Sequence, residues 1–229
     1  MIRRALLVAL ILAGSARAVD DRAIPLFDGR GLSGWTVVGG KPGNWRAEGA
    51  EVACRGDGKD WIGTNREYVD FALTLDYRLE PGGNSGVLLR APRKGDPSFA
   101  GLEIQLLDDD APAYRGLRPW QYTGSVYGVA AARRGAARKA GEWNSLAVRL
   151  EGSRVVVGLN GSVILDDDLA RHPEALPGHP GVARVRGLIG LQSHGDPVRF
   201  RNLAIRELGP RAAGGSPEGP WGPSGHASR

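Results

Sequence analysis

The stretch YVDFALTLDYRLE, residues 68–80, decides the fold class because apolar and polar residues alternate along its whole length. Its odd-numbered positions are all apolar, and most of its even-numbered positions are polar or charged. A period of two puts the apolar set on one face of a β-strand and the polar set on the other, whereas a helix would need apolar residues three and four apart. These residues therefore predict a strand that is buried on one face.

The same alternation recurs along the chain, interrupted by short turns rich in glycine and proline. PGGNSG at 81–86 predicts a turn, after which GVLLRAP returns as the next strand. Residues 143–168 predict a three-stranded meander with a turn at Asn160-Gly161, because Asn-Gly is a strong hairpin signal. Residues 186–208 predict two further strands. Many short strands without an internal repeat predict an all-β fold, an antiparallel two-sheet jelly-roll β-sandwich.

The two ends of the sequence differ from its middle. Residues 1–18, MIRRALLVALILAGSARA, have a basic pair, an apolar run and a small-x-small end, which is the pattern of a cleavable signal peptide. The run is shorter than the roughly 20 residues of a membrane-spanning helix. Residues 209–229 are rich in Gly, Pro, Ser and Ala and predict a disordered tail. We therefore expect one folded domain, residues 19–208, in a periplasmic or secreted protein that is free of the membrane after cleavage.

Cysteine content and charge narrow the range of possible functions further. Cys54 is the only cysteine, so an intramolecular disulfide is impossible, and we expect a small buried side chain there. The formal net charge is +5, but several basic residues belong to the predicted signal, the predicted tail or a basic loop at 131–142. A nucleic-acid site would need basic residues interleaved with aromatic ones on one surface. The sequence lacks that pattern, and we expect no nucleic-acid partner.

Alternation also predicts which polar side chains leave the core together. In GLEIQLLD, residues 101–108, the even-numbered apolar residues face the core, so Glu103 and Gln105 face away from it. The same reasoning on three other strands adds amide, guanidinium and imidazole groups. Lysine and threonine, which are common on exposed strands that have no binding role, are missing from this set. The added residues are Asn84, Arg90, Gln192, His194, Arg199 and Arg201.

This polar set suits a carbohydrate ligand. Amide and guanidinium groups bond to sugar hydroxyls, and aromatic side chains cover the faces of sugar rings. Tyr127, Trp120 and Trp61 are candidates for the aromatic part, although each of them also fits a place in the core. Taken singly, each polar residue also fits an ordinary sheet surface, so the prediction of a sugar-binding groove rests on the set.

Eight motifs, in order, resemble the 3-keto-disaccharide hydrolase domain family over residues 24–208. They are LFDGRGLSGW, WIGTNREYVDFALTLDYRL, GGNSGVLLRAP, GLEIQLLDD, GSVYGV, KAGEWNSLAVRLEG, LNG and IGLQSHGDPVRFRNLAIREL. The resemblance implies a concanavalin A-like sandwich and exported breakdown of glycosides whose sugar was previously oxidised at C3. It also implies a role for Asp108, which resembles an aspartate typical of the family.

The expected chemistry follows from the substrate that this resemblance implies. A conventional glycosidase uses two carboxyl groups, but the strand of Glu103 continues outward with Gln105 and Leu107. A 3-keto sugar needs a base for its acidified C2 proton, an acid for the leaving oxygen and donors for the oxyanion. Glu103 and His194 are the candidate base and acid, in either order. The candidate oxyanion donors are Arg90, Gln192 and Arg201.

The remaining expectations concern binding and its alternatives. The expected substrate-binding residues are Asn84, Arg90, Gln105, Asp108, Tyr127, Gln192 and Arg201. We expect no cofactor and no metal, because the acidic runs LLDDD and LDDDL lack the spacing of a known calcium loop. Two other functions stay open, a non-catalytic carbohydrate-binding module of the cell envelope and a scaffold whose outer face is plain surface. The sequence leaves the oligomeric state open.

Overall fold

The computed structural model of the chain describes residues 23–41 and 43–209, and these residues are nearly all β. Two antiparallel sheets pack face to face, which confirms the predicted jelly-roll β-sandwich. The predicted signal peptide, residues 1–18, lies outside the described residues, as does the predicted tail, residues 209–229, apart from Gly209. Across the described ranges, none of the helices has the length and apolar character needed to cross a bilayer.

The larger sheet has eight strands. In spatial order, seven of them are β11 (Ser162–Asp168), β10 (Arg154–Leu159), β9 (Asn144–Glu151), β6 (Phe71–Leu79), β13 (Val198–Glu207), β4 (Glu51–Cys54) and β3 (Trp45–Glu48). The eighth, β1 (Ile24–Pro25), pairs with β13. The predicted meander is confirmed, because β9, β10 and β11 are consecutive in the chain and adjacent in the sheet.

The smaller sheet has five strands. Its spatial order is β2 (Trp35–Val38), β5 (Lys59–Thr64), β12 (Leu188–His194), β7 (Asn84–Ala91) and β8 (Leu102–Leu107). One short helix, α1 (Pro97–Ala100), joins β7 to β8. The described 3-10 helices are Pro112–Tyr114, Pro119–Gln121, Leu169–Arg171, Pro173–Ala175 and Pro180–Ala183.

The core lies between the sheets and follows the alternation of the sequence. On β6, the odd-numbered side chains are buried and the even-numbered ones are half-buried or exposed. They meet the alternate apolar residues of β7, β8 and β12 from the other sheet. Each fully buried aliphatic or aromatic side chain contributes about 1.5–3 kcal/mol by leaving water. Cys54 is buried in this core, as predicted.

Candidate functional site

A groove of about 560 Å³ opens on the face of the five-stranded sheet that points away from the core. Side chains of β5, β7, β8 and β12 form its floor, and α1 and residues 114–127 form its walls. Small-molecule sites commonly have volumes of about 300–1,000 Å³. The groove is therefore large enough for a small carbohydrate.

Six of the nine residues that the sequence assigned to the site line this groove. They are Asn84, Glu103, Gln105, Tyr127, Gln192 and His194. The strand register explains how they meet, because Gln192 lies opposite Gly86 and Gly86 lies opposite Gln105. Residues that are directly opposite project to the same face of a sheet. Three adjacent strands thus bring their polar side chains together.

Glu103 lies on the floor of the groove with only 4% of its surface exposed. Nε2 of Gln192 donates to its Oε2 at 3.2 Å, and Ser98 on α1 also bonds to the carboxylate. Burial raises the pKa of Glu103 to about 7, against the opposing effect of the bonds from Ser98 and Gln192. A carboxyl group with this pKa can both take and give a proton near neutral pH.

Gly86 makes the contact between Glu103 and Gln192 possible. Glu103 lies opposite Leu88, so its side chain must pass diagonally over Gly86 to reach the next strand. A Cβ at position 86 would collide with Oε1 of Glu103 and would lie 2.8 Å from its Cδ. The sequence analysis did not single out Gly86, because alternation says nothing about the path of a side chain across a neighbouring strand.

Trp61 fills the floor of the groove beside the polar side chains of Glu103 and Gln192. A Cβ at Gly190 would lie 2.7 Å from Cε3 of the indole, so the ring occupies the space above that glycine. Tyr127 lines the opposite wall, and its ring meets the edges of Phe99 and Trp120 at centroid distances of 5.9 and 5.1 Å. The groove thus combines amides and a carboxyl group with aromatic side chains, as the sequence analysis expected of a sugar site.

His194 lies at an exposed end of the groove, opposite Lys59 on β5. Partial desolvation lowers the pKa of His194, and the Lys59 ammonium lowers it further, while Asp196 opposes both effects. The imidazole is therefore neutral at neutral pH. The pair lies two residues from the Gln192–Trp61 pair, about 6.6–6.8 Å along the strands. The sequence analysis did not include β5 in its polar set, so it did not place Lys59 on this face.

Arg90 does not face the groove, contrary to the prediction. The pairing of β7 with β12 shifts register between Leu188 and Gly190, and Arg90 has a φ of 49°. Strict alternation fails at this irregularity, and the guanidinium turns away from the groove into a buried position. Its hydrogen-bond partners are the carbonyl oxygens of Val69, Gly152 and Arg184 and the carboxylate of Asp70.

Arg201 lies on the other sheet, so its predicted place in the groove is also wrong. Its strand, β13, belongs to the eight-stranded sheet, whose outer face is on the opposite side of the molecule. Nε of Arg201 lies 3.2 Å from Oδ2 of Asp76, and the guanidinium lies 4.0 Å from the ring centroid of Trp143. Arg199 is on the same strand and pairs with carboxylates there.

Asp108 is not among the residues that line the groove, either. Its Oδ2 accepts a hydrogen bond from the backbone N–H of Gly82 at 2.8 Å, and its own N–H donates to the carbonyl of Gly83 at 3.0 Å. Asp108 thus fastens the turn between β6 and β7 to the end of β8. Its role here is to hold the edge of the site in place.

Two acids in the groove escaped the sequence analysis. Asp96 caps the N-terminus of α1 by accepting a bond from the N–H of Ser98 at 2.9 Å, and an Asp-Pro-Ser sequence is a signal that predicts such a cap. Asp60 is buried, and its Oδ1 accepts bonds from Asn44 at 2.9 Å and from the indole of Trp45 at 2.7 Å. In the described part of the chain, no three His, Cys, Asp or Glu side chains are grouped so as to hold a metal ion.

Comparison with known proteins agrees with this architecture. A 3-keto-disaccharide hydrolase of Bacteroides thetaiotaomicron is 27% identical over 82% of this chain and 79% of its own length. A crystal structure of a candidate glycosyl hydrolase from Parabacteroides distasonis superposes with a TM-score of 0.72 at 29% identity, covering 82% of this chain and 100% of that one.

A more distant likeness shows the fold alone. A carbohydrate-binding module of Bacillus subtilis has a TM-score of 0.53 at 17% identity, over 76% of this chain and 96% of that one. By sequence, residues 22–206 match one domain family, and the match covers the entire sandwich from β1 to the end of β13 apart from its final residue. The chain therefore belongs to the 3-keto-alpha-glucoside-1,2-lyase-like domain family.

Proposed function

We propose that this protein is an exported enzyme that cleaves the glycosidic bond of 3-keto-glycosides or 3-keto-disaccharides. The observation that carries the proposal is the Glu103 carboxyl group, which is buried in the groove with a pKa of about 7 and bonded only to uncharged partners. The family match and the name of the Bacteroides relative support the substrate class. The signal pattern of residues 1–18 supports export.

The proposed reaction starts with the C3 ketone, which acidifies the proton on C2. A base takes that proton, the C2–H electron pair forms a C2=C3 bond, and the carbonyl pair moves onto O3 as an enolate. The ketone then reforms, the C2=C3 pair shifts to C1=C2, and the C1–O bond breaks with its electrons on the leaving oxygen, which receives a proton. Water adds at C1 and a proton returns to C2, so the net change is hydrolysis.

Glu103 is the group best suited to the proton transfers at C2 and the leaving oxygen. Its pKa of about 7 leaves a large ionised fraction at neutral pH, and the protonated form is then acidic enough to give the proton back. Gln192 and Ser98 hold its carboxylate over Gly86. His194 is exposed and neutral, so it is suited to activate the water that adds at C1.

The other acids of the groove are already engaged by the fold. Oδ1 of Asp60 is held by Asn44 and Trp45, while its Oδ2 is buried without a hydrogen-bond partner, and Oδ1 of Asp96 caps α1. A conventional mechanism needs two carboxyl groups that flank the bond with roles as acid and as nucleophile or base. These engagements favour the mechanism in which one carboxyl group suffices.

Purified protein incubated with matched disaccharides, one oxidised at C3 and one not, tests the proposal. We expect cleavage of the 3-keto sugar and little or no cleavage of the unoxidised sugar, because only the ketone acidifies C2. Product formation is followed by chromatography. Equal cleavage of both sugars would contradict the keto mechanism. Binding without cleavage of either sugar would instead favour the carbohydrate-binding module.

A further inference from the structure

We infer that Lys59 is a further catalytic residue, the cation that stabilises the negative charge on O3 when the C2 proton leaves. This inference rests on the proposed function. Enolate formation places a full negative charge on the former ketone oxygen, and a positioned cation or donor is the usual device that lowers such a barrier. The sequence analysis looked to Arg90, Gln192 and Arg201 for this group. The two arginines lie outside the groove, and Nε2 of Gln192 lines it but already donates to Ser98 and Glu103.

Lys59 is the one lysine or arginine among the described residues that line the groove. It lies on the groove side of β5, because Trp61, two residues along the same strand, also lines the floor. Within the described ranges, its ammonium has no ion-pair or hydrogen-bond partner. Two arginines on the opposite face of the molecule, Arg199 and Arg201, are by contrast paired with carboxylates.

The register places Lys59 within reach of the reacting atoms. Lys59 lies opposite His194, and the next groove-facing pair along the strands is Trp61 with Gln192. Nε2 of Gln192 on β12 contacts the carboxylate of Glu103, which lies over Gly86 on β7. The base and the cation are therefore separated by about one row of side chains, 6.6–6.8 Å, along the strands and by up to two strand spacings, about 4.7–4.9 Å each, across the sheet. The four-carbon side chain of Lys59 can extend toward the centre of the groove, which brings the ammonium closer to the Glu103 carboxylate than the backbone positions are.

The substrate fits this separation. In a 3-keto sugar, the C2 proton and O3 sit on adjacent carbons, so a ring whose C2 proton faces Glu103 presents O3 to one side of it. Lys59 and His194 occupy the end of the groove on one such side. The leaving oxygen on C1 then points to the other side, toward α1 and its Phe99 ring. The inference thus also orients the sugar within the groove.

The test uses Lys59→Met, which removes the charge, Lys59→Arg, which keeps it, and Lys94→Met, a control at an exposed lysine that does not line the groove. Three readouts are needed for each protein. They are cleavage of a 3-keto disaccharide, affinity for the unoxidised disaccharide, and exchange of the C2 proton in D2O on a 3-keto sugar with hydrogen in place of its C1 substituent. The last readout isolates enolate formation from departure of the leaving group.

We expect Lys59→Met to slow both cleavage and C2 exchange by about 10²-fold, the scale of one lost oxyanion donor. Lys59→Arg should retain most of both, Lys94→Met should match the wild type, and affinity for the unoxidised sugar should not change. Retained exchange with slow cleavage would overturn the inference by placing Lys59 at the leaving group. A loss of affinity for the unoxidised sugar in Lys59→Met that is as large as its loss of cleavage would overturn it in favour of ground-state binding.

The failure of this inference is distinguishable from failure of the proposed function. A wild type that cleaves and exchanges 3-keto sugars while Lys59→Met does so equally well leaves the function standing and removes Lys59 from it. A wild type that neither cleaves nor exchanges any 3-keto sugar removes both.

Discussion

The two outer faces of the sandwich carry similar polar side chains, but these side chains have different hydrogen-bond and ion-pair partners. On the eight-stranded sheet the carboxylates meet guanidinium groups, as Glu51 does with Arg199 at 2.8 Å and Asp166 with Arg154 at 2.8 Å. On the five-stranded sheet, Glu103 meets an amide and a hydroxyl. The bond from Arg154 lowers the pKa of Asp166, whereas burial raises that of Glu103 to about 7.

This difference shows that the partner of a polar side chain, more than its outward direction, separates a reactive group from an ordinary surface group. An ion-paired carboxylate is held in its charged form, and the loss of one exposed ion pair changes the stability of the protein only slightly. A buried carboxylate with neutral partners can change its protonation state at neutral pH. The two faces therefore respond differently to mutation and to pH.

The largest expected effect comes from removing the charge of Glu103. Glu103→Gln should lower kcat/KM for a 3-keto disaccharide by about 10²–10⁴-fold, the range for a lost general acid or base. The matched changes on the opposite face, Glu51→Gln and Arg201→Met, should leave kcat/KM within about twofold, because those side chains lie outside the groove. Steady-state assays check this, and an equal loss in all three variants would erase the distinction between the faces.

The second expected effect links pH to stability. The folded-state pKa of Glu103, about 7, lies above its ordinary value of 4.5. The folded protein therefore holds the proton more tightly than the unfolded chain does. The resulting stabilisation is complete below pH 4.5 and is lost as the pH rises to 7, by about 3 kcal/mol in all. Urea unfolding at pH 4 to 9 measures the loss, which should be absent in Glu103→Gln.

Activity should follow the opposite slope, since the ionised form of Glu103 takes the C2 proton. We expect kcat/KM to rise about tenfold per pH unit below 7 and to level off above it.

The burial of Glu103 also revises a simple view of outward-facing residues, in which their replacement leaves the melting temperature unchanged. A stability curve that has the same slope in wild type and in Glu103→Gln would contradict the assignment of the raised pKa.

A smaller effect is expected from Gly86→Ala. The new Cβ would collide with the Glu103 carboxylate, which must then move off the position where Gln192 holds it. The displaced atoms are the end of a flexible side chain, so we expect stability to change by less than about 1 kcal/mol, while kcat/KM falls by about 10-fold to 10²-fold. Activity and urea-unfolding measurements on the same protein check the pair of outcomes. Unchanged activity would show that the path over Gly86 is unimportant.

Much of the fold and part of the site were predictable from the sequence, for one physical reason. Alternation fixes the face of a residue wherever a strand is regular, and so it predicted the buried side of β6 and the outward side of Glu103 and Gln105. It failed at Arg90, where the register shifts, and it could not assign β13 to a sheet, which misplaced Arg201. Side chains supplied by segments between strands, such as Ser98 on α1, depend on tertiary packing that a strand pattern does not encode.

The brevity of α1 has a consequence for engineering. One turn between β7 and β8 carries four residues that line the groove, Asp96, Pro97, Ser98 and Phe99, and it packs against the 3-10 helix Pro180–Ala183. A helix of four residues has little stability of its own, so its cap and this packing hold it in place. Because Ser98 bonds to the Glu103 carboxylate, a replacement segment has to keep this serine and its cap, Asp96. With these two residues kept, we expect changes at Phe99 to alter the choice of leaving group, while the strand that carries Glu103 stays intact.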